Sequence, residues 1–214
     1  MTREGPATAP TRPTLDAFLE AHPATPRESG SDSPRVAALG TSGQAGAVRP
    51  LIVTAVLGEP AQSALDALRA RHFPPERNVL AAHVTLFHAL PGEREAEVDA
   101  ELARAADRDP PAAIVGAPRL LGRGVALRIA APAVLGWRTA AADRWREWLT
   151  PQDRGKKELH VTVQNKVDPE QARALQRDLA LRPEESTRVV ALALWQYDGG
   201  PWLPVRRHPY RGGV

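Results

Sequence analysis

Apolar residues are sparse and aperiodic over the first 48 positions of the chain and become dense and patterned from Leu51 onward. In the first stretch Pro6, Pro10, Pro13, Pro23, Pro26 and Pro34 are interspersed with Gly, Ser and Thr. One short helix is predicted there, over Thr14–Ala21, with Leu15, Phe18 and Leu19 on a face. The rest of residues 1–48 reads as a disordered or loosely packed N-terminal extension, because too few apolar residues are available to offset the entropy of ordering it. Leu51 to Leu57 is then an apolar run of strand length. Ala61, Leu65, Leu68 and His72 fall on one stripe of a following helix. A Pro74-Pro75 loop leads to a second strand, His83-Val84-Thr85-Leu86. A helix from about Glu93 to Ala106 is acidic in its first turn, as the helix dipole favours. A strand around Ala113 to Leu121 closes this unit.

The second half repeats the order. Val125 to Ile129 is a strand and Ala133 to Leu149 a helix, and Thr150-Pro151 opens a polar loop into a strand at His160-Val161-Thr162-Val163. Asp168-Pro169 supplies an N-cap and a proline at the first helical position. The helix it starts presents Ala172, Leu175 and Leu179 inward. Thr187 to Tyr197 is the closing strand, and Trp202 to Arg206 adds an edge. Gly122-Arg123-Gly124 is a tight turn between the halves. The expected fold class is α+β: duplicated β-α-β-α-β units related by pseudo-two-fold symmetry, with antiparallel sheets lining a central cleft and helices outside. The expected domain covers residues 49–214, with lobes at about 49–121 and 124–206.

The repeated phrase carries the chemistry. Side chains at i and i+2 of a strand share a face. Each copy therefore presents a His and a Thr on one side and buries Val84 and Leu86, or Val161 and Val163, on the other. One His-x-Thr is a weak signal, but only six histidines exist in the chain and two recur in matching contexts. Opening a cyclic phosphodiester needs one group to deprotonate water and another to protonate the departing alkoxide, and imidazole, with an ordinary pKa of about 6.5, does both near neutral pH. Threonine hydroxyls beside the rings suit non-bridging oxygens whose charge builds in the transition state. No metal is required by this arrangement.

Other residues are open. By alternation Phe87 shares the face of His83 and Thr85, where it could stack on a base or pack in the core. Lys166 shares the face of His160 if the strand extends that far, where it could attract phosphate or simply be solvated. His88 stands at odd spacing from His83, so the two are expected to point oppositely, which argues against a zinc site built on that pair. Trp137, Trp145 and Trp148 fall near helical spacing and read as core. Tyr197, Arg206 and Arg207 could help to bind RNA or be merely exposed.

Composition narrows the classes. The 214 residues are 43% hydrophobic, with a net charge of +3 and no cysteine. Disulfides, thiolate metal sites and thiol nucleophiles are therefore excluded. The mild basic excess suits an anionic ligand without indicating nucleic acid by itself. The residues after Met1 make no secretory signal, and the apolar run Leu51–Leu57 is far too short to span a bilayer, so a cytoplasmic protein without membrane association is expected. No Gly-x-Ser-x-Gly elbow, phosphate-binding loop or dinucleotide fingerprint occurs.

The paired His-x-Thr motifs, their separation and the duplicated units resemble the two-histidine (2H) phosphoesterase superfamily. Within it the chain is most similar to bacterial 2′-5′ RNA ligases, which are also RNA 2′,3′-cyclic phosphodiesterases. Leu86-Phe87, Gln164-Asn165-Lys166 and the closing Leu194-Trp195-Gln196-Tyr197-Asp198-Gly199-Gly200-Pro201-Trp202 add to the likeness, which spans about residues 50–210. The resemblance implies His83 and His160 as the proton-transfer pair, His160 as base and His83 as acid in hydrolysis, with Thr85 and Thr162 binding phosphate. It implies an enzyme opening a 2′,3′-cyclic phosphate on an RNA end or small nucleotide to a 2′-phosphate, with 2′-5′ joining as the reverse. No cofactor or metal is expected, and a monomer is. The rivals are hydrolysis of another small cyclic or 2′-5′-linked nucleotide, and a non-catalytic RNA- or nucleotide-binding module of the same fold.

Overall fold

The strand β1 (Leu51–Leu57) is buried at every position, because it is covered on both faces. Leu51, Val53, Ala55 and Leu57 enter the main core. Ile52 and Val56, on the other face, join Ala191, Ala193 and Trp195 in a smaller cluster. Thr54 sits fully buried on that second face and accepts the Trp195 indole N–H at 2.9 Å, so its hydroxyl keeps a partner. This computed structural model describes residues 48–197, 199 and 201–212. The helix expected at Thr14–Ala21, and all but the last residue of the expected extension, lie outside the described residues.

After β1 come α1 (Ala61–His72), a 3-10 turn (Pro75–Arg77), β2 (Val84–Leu90), a second 3-10 turn (Gly92–Arg94), α2 (Glu95–Ala106) and β3 (Ala112–Leu120). The second unit has β4 (Gly124–Ala130), α3 (Pro132–Arg144), the short α4 (Pro151–Arg154), β5 (Leu159–Asn165), α5 (Pro169–Leu179) and β6 (Glu185–Gln196), and β7 (Leu203–Pro209) follows as an edge. The helix expected over Ala133–Leu149 ends at Arg144, and Trp145 and Leu149 turn into the core at 3% and 5% exposure. Asp168 caps α5 as expected, accepting the Glu170 N–H at 2.8 Å with Pro169 next in line.

The α+β architecture holds, with every strand pairing antiparallel. Pairing runs β1-β2-β5-β4-β3-β6-β7, and β1 pairs with β6 as well. The third strand of each unit crosses to the other. β3 pairs with β4 and with the start of β6, whereas the rest of β6 runs between β1 and β7. The two units therefore exchange their third strands within one sheet. Gly122 makes the β3–β4 turn with φ of 71°, a backbone conformation that costs glycine nothing. Gly124 lets β4 approach β5 closely, since a Cβ there would come within 2.2 Å of the Gln164 carbonyl oxygen.

Each motif strand carries a β-bulge at the same point. Consecutive Val53 and Thr54 oppose Phe87 and Thr85, leaving Leu86 extra. Consecutive Val125 and Ala126 oppose Gln164 and Thr162, leaving Val163 extra. One added residue inverts the side-chain alternation beyond it.

Candidate active site

Val84 and Val161 face each other where β2 meets β5. One step along this antiparallel register sets His83 across from Thr162 and Thr85 across from His160. The pleat turns these four side chains away from Val84 and Val161, which are fully buried in the main core. His83 and His160 are thus diagonal neighbours, and such positions are about 7–8 Å apart, room for a phosphate between two imidazoles.

Polar side chains on α1 and α3 hold these strands in place. Gln62 donates to the Ala82 carbonyl at 2.8 Å, and Asp66 accepts the Ala82 N–H at 2.5 Å, pinning the residue before His83. Buried Arg69 donates to the Thr162 carbonyl at 2.6 Å and to that of Leu80 at 3.3 Å. Arg138 of α3, also buried, donates to the Leu86 carbonyl at 3.4 Å, to that of Lys156 at 3.2 Å and to that of Asp153. Each unit's helix arginine therefore grips the other unit's motif strand. The sequence reading of α1 identified its apolar stripe and missed Gln62, Asp66 and Arg69, one turn apart on the adjoining face. Their spacing was the signal available.

The two imidazoles are both half-buried and differ at their second nitrogen, since His160 Nδ1 is buried without a hydrogen-bond partner. His83 Nδ1 lies 2.7 Å from the Ala81 carbonyl oxygen. A carbonyl only accepts, so Nδ1 carries hydrogen and Nε2 is the reactive atom. The ring also leans on Trp202, with centroids 4.9 Å apart at 54°. Burial, reinforced by the Arg69 charge and opposed by the Ala81 hydrogen bond, lowers the His83 pKa to about 4. Burial lowers that of His160 to about 4 as well, with Lys156 and Arg119 adding positive charge nearby. Lys156 is itself lowered to about 8, by burial and then by Arg138.

His160 opens on a cleft of about 640 Å³ whose wall includes His88, Arg119, Arg128, Lys156 and Lys157. Glu158 is the single carboxylate in that lining and is shared between Arg119 at 2.9 Å and Arg128 at 3.8 Å. The cleft is thus strongly cationic. No three His, Asp or Glu side chains among the described residues are grouped as metal ligands.

Phe87 and Lys166 need correction. The bulge at Leu86 turns Phe87 into the core, where it is fully buried against Trp137 and Trp145 with the Arg138 guanidinium 4.8 Å over its ring. It has no face free for a base. The strand expected to carry Lys166 ends at Asn165, and Lys166 is exposed in a left-handed conformation (φ 58°), outside the residues that line the cleft. The same bulge logic reverses the expectation for His88. Simple alternation points it away from His83, whereas the structure sets it in the cleft wall beside His160. A bulge leaves no mark in the amino-acid pattern, which is why both assignments failed together.

The model of the 2′-5′ RNA ligase superfamily matches residues 57–201, which hold both motifs. The chain belongs to this superfamily. Among solved structures, TT0787 of Thermus thermophilus is similar at 15% identity and a TM-score of 0.51, covering 76% of this chain and 98% of that one. E. coli LigT complexed with 3′-AMP is similar at 14% identity and a TM-score of 0.48, with coverage of 76% and 98%. Usb1 of Kluyveromyces marxianus with uridine monophosphate is similar at 13% identity and 0.40, with coverage of 74% and 99%. At such identities the likeness to TT0787 is one of fold. No curated protein matches the chain. No helix of the described residues is long and apolar enough to cross a membrane.

Proposed function

We propose that this member of the 2′-5′ RNA ligase superfamily is a cytoplasmic, metal-independent phosphoesterase. It opens a 2′,3′-cyclic phosphate on RNA or a nucleotide to a 2′-phosphate. Joining RNA ends through a 2′-5′ bond is the reverse reaction. The observation that carries this reading is the Val84–Val161 register, which gives two imidazoles and two threonine hydroxyls a common face.

In hydrolysis the water oxygen attacks phosphorus while its proton passes to His160 Nε2. The bond from phosphorus to O3′ breaks, and O3′ takes a proton from His83 Nε2, leaving the phosphate on O2′. The surroundings of the two rings favour this division. The Ala81 carbonyl at His83 Nδ1 stabilises an imidazolium, whereas His160 faces Lys156 and Arg119 and is kept neutral to act as base. His83 takes up its proton with the anionic substrate, whose charge offsets that of Arg69. Thr85 and Thr162 donate to the non-bridging oxygens. Each proton-transfer role contributes roughly 10²- to 10⁴-fold.

The test is turnover of the four nucleoside 2′,3′-cyclic monophosphates and of an RNA ending in a cyclic phosphate, with product regiochemistry. His83→Ala and His160→Ala each abolish turnover, RNA affinity stays near that of the parent, and activity survives EDTA. Turnover unaffected by either substitution refutes the catalytic reading, and RNA binding without turnover by the parent supports a binding module instead.

A further inference from the structure

His88 is held in the cleft wall by a buried carboxylate that the two-histidine chemistry does not use. Its Nδ1 lies 2.8 Å from Oδ1 of Asp153, a carboxylate with no solvent exposure. Asp153 also accepts the backbone N–H of His88 at 3.0 Å and that of Ala89 at 3.2 Å. Burial acts to raise the Asp153 carboxyl, but the hydrogen bonds from His88 and Ala89 outweigh it and hold the group below the usual carboxylate range. An ionised acceptor fixed on Nδ1 leaves Nε2 of His88 to face the cleft, whose other lining side chains include His160, Arg119, Arg128, Lys156 and Lys157.

The reacting phosphate accounts for only one end of this surface. A cyclic phosphate between His83 and His160 brings a single negative charge, and it sits at the Val84–Val161 crossing. Arg119, Arg128 and Lys157 line the cleft beyond, against the one carboxylate of Glu158. Cations gathered in a concave wall are matched by further anionic groups on the ligand.

We propose that His88, clamped by Asp153, binds a second phosphate of the substrate, and that Arg119, Arg128 and Lys157 complete this subsite. The inference rests on the cyclic-phosphate reading above and names the substrate class more closely: a molecule with a second phosphoryl group beside the cyclic one. In that complex the His88 ring donates Nε2–H to a phosphate oxygen and Nδ1–H to the Asp153 carboxylate. The second phosphate is either the phosphodiester of an RNA end or the 5′-phosphate of a single nucleotide.

The test compares three substrates: a nucleoside 2′,3′-cyclic phosphate, its 5′-phosphorylated form, and a dinucleotide ending in the cyclic phosphate. One charge-assisted hydrogen bond corresponds to about a 10- to 100-fold preference in kcat/KM for a doubly charged substrate, expressed mainly in KM. His88→Gln lowers the preference toward unity, and Lys157→Ala, an exposed change, lowers it in the same sense. Preference for the dinucleotide alone identifies the phosphodiester as the ligand, and preference for both identifies any nearby phosphate. Equal kcat/KM for all three substrates, or an unchanged ratio in His88→Gln, overturns the inference while leaving the phosphoesterase reading intact. Calorimetric binding of a nucleoside 2′-phosphate and a nucleoside 2′,5′-bisphosphate covers the case in which the parent turns over nothing. A bisphosphate preference lost in His88→Gln then supports the subsite, and equal affinities refute it.

Discussion

Acidification is a direct probe of the two motif histidines. Both have a folded-state pKa lowered from 6.5 to about 4, by burial first and by neighbouring cations second. Between these values the unfolded chain binds protons that the native state refuses, so stability falls as pH drops through this window. A shift of this size, taken from pH 7 to pH 4.5, removes about 2.4 kcal/mol per histidine and roughly 5 for the pair. The assay is urea unfolding of the parent and of a His83→Gln/His160→Gln variant at both pH values. Asp66 has its carboxyl raised, by burial before any other cause, and so acts in the opposite sense. Reading the difference between parent and variant cancels that contribution. The variant should gain on the parent by about 5 kcal/mol over the interval. Equal acid sensitivity in the two proteins refutes the claim that these imidazoles are buried and neutral at rest, and with it the argument that the substrate brings the acid's proton.

Phe87→Ala should cost about 3–5 kcal/mol of stability, as for other large aromatic residues cut from a core. Thermal unfolding checks this, and a selective rise in KM with little loss of stability would restore Phe87 to the substrate site. Arg69→Met leaves the Thr162 and Leu80 carbonyls without their donor and should cost about 2–4 kcal/mol, measured by urea unfolding. Because it also removes a cation that depresses His83, the general acid, the alkaline limb of the kcat/KM profile should move to higher pH, and an unmoved limb contradicts that cause. Thr162→Val should lower kcat by about 10- to 100-fold if its hydroxyl meets transition-state charge, as steady-state kinetics on a cyclic phosphate would show; a change confined to KM argues for ground-state binding alone.

Periodicity within the chain determined which segments are strands and which are helices, and the repeated His-Val-Thr phrase singled out four side chains before any coordinates were known. Those are local properties: a period of two in a strand, a period near 3.6 in a helix, and an identical phrase at matching points of two units. Tertiary structure decided the rest. Register set His83 diagonally across from His160, and exchange of β3 and β6 between the units overrode the chain halves, because strands pair with whichever edge completes the ladder. Bulges at Leu86 and Val163 drew Phe87 into the core and turned His88 toward the cleft. A bulge adds one residue to one strand against a particular partner, so it is a relation between two segments and has no expression in either of them alone.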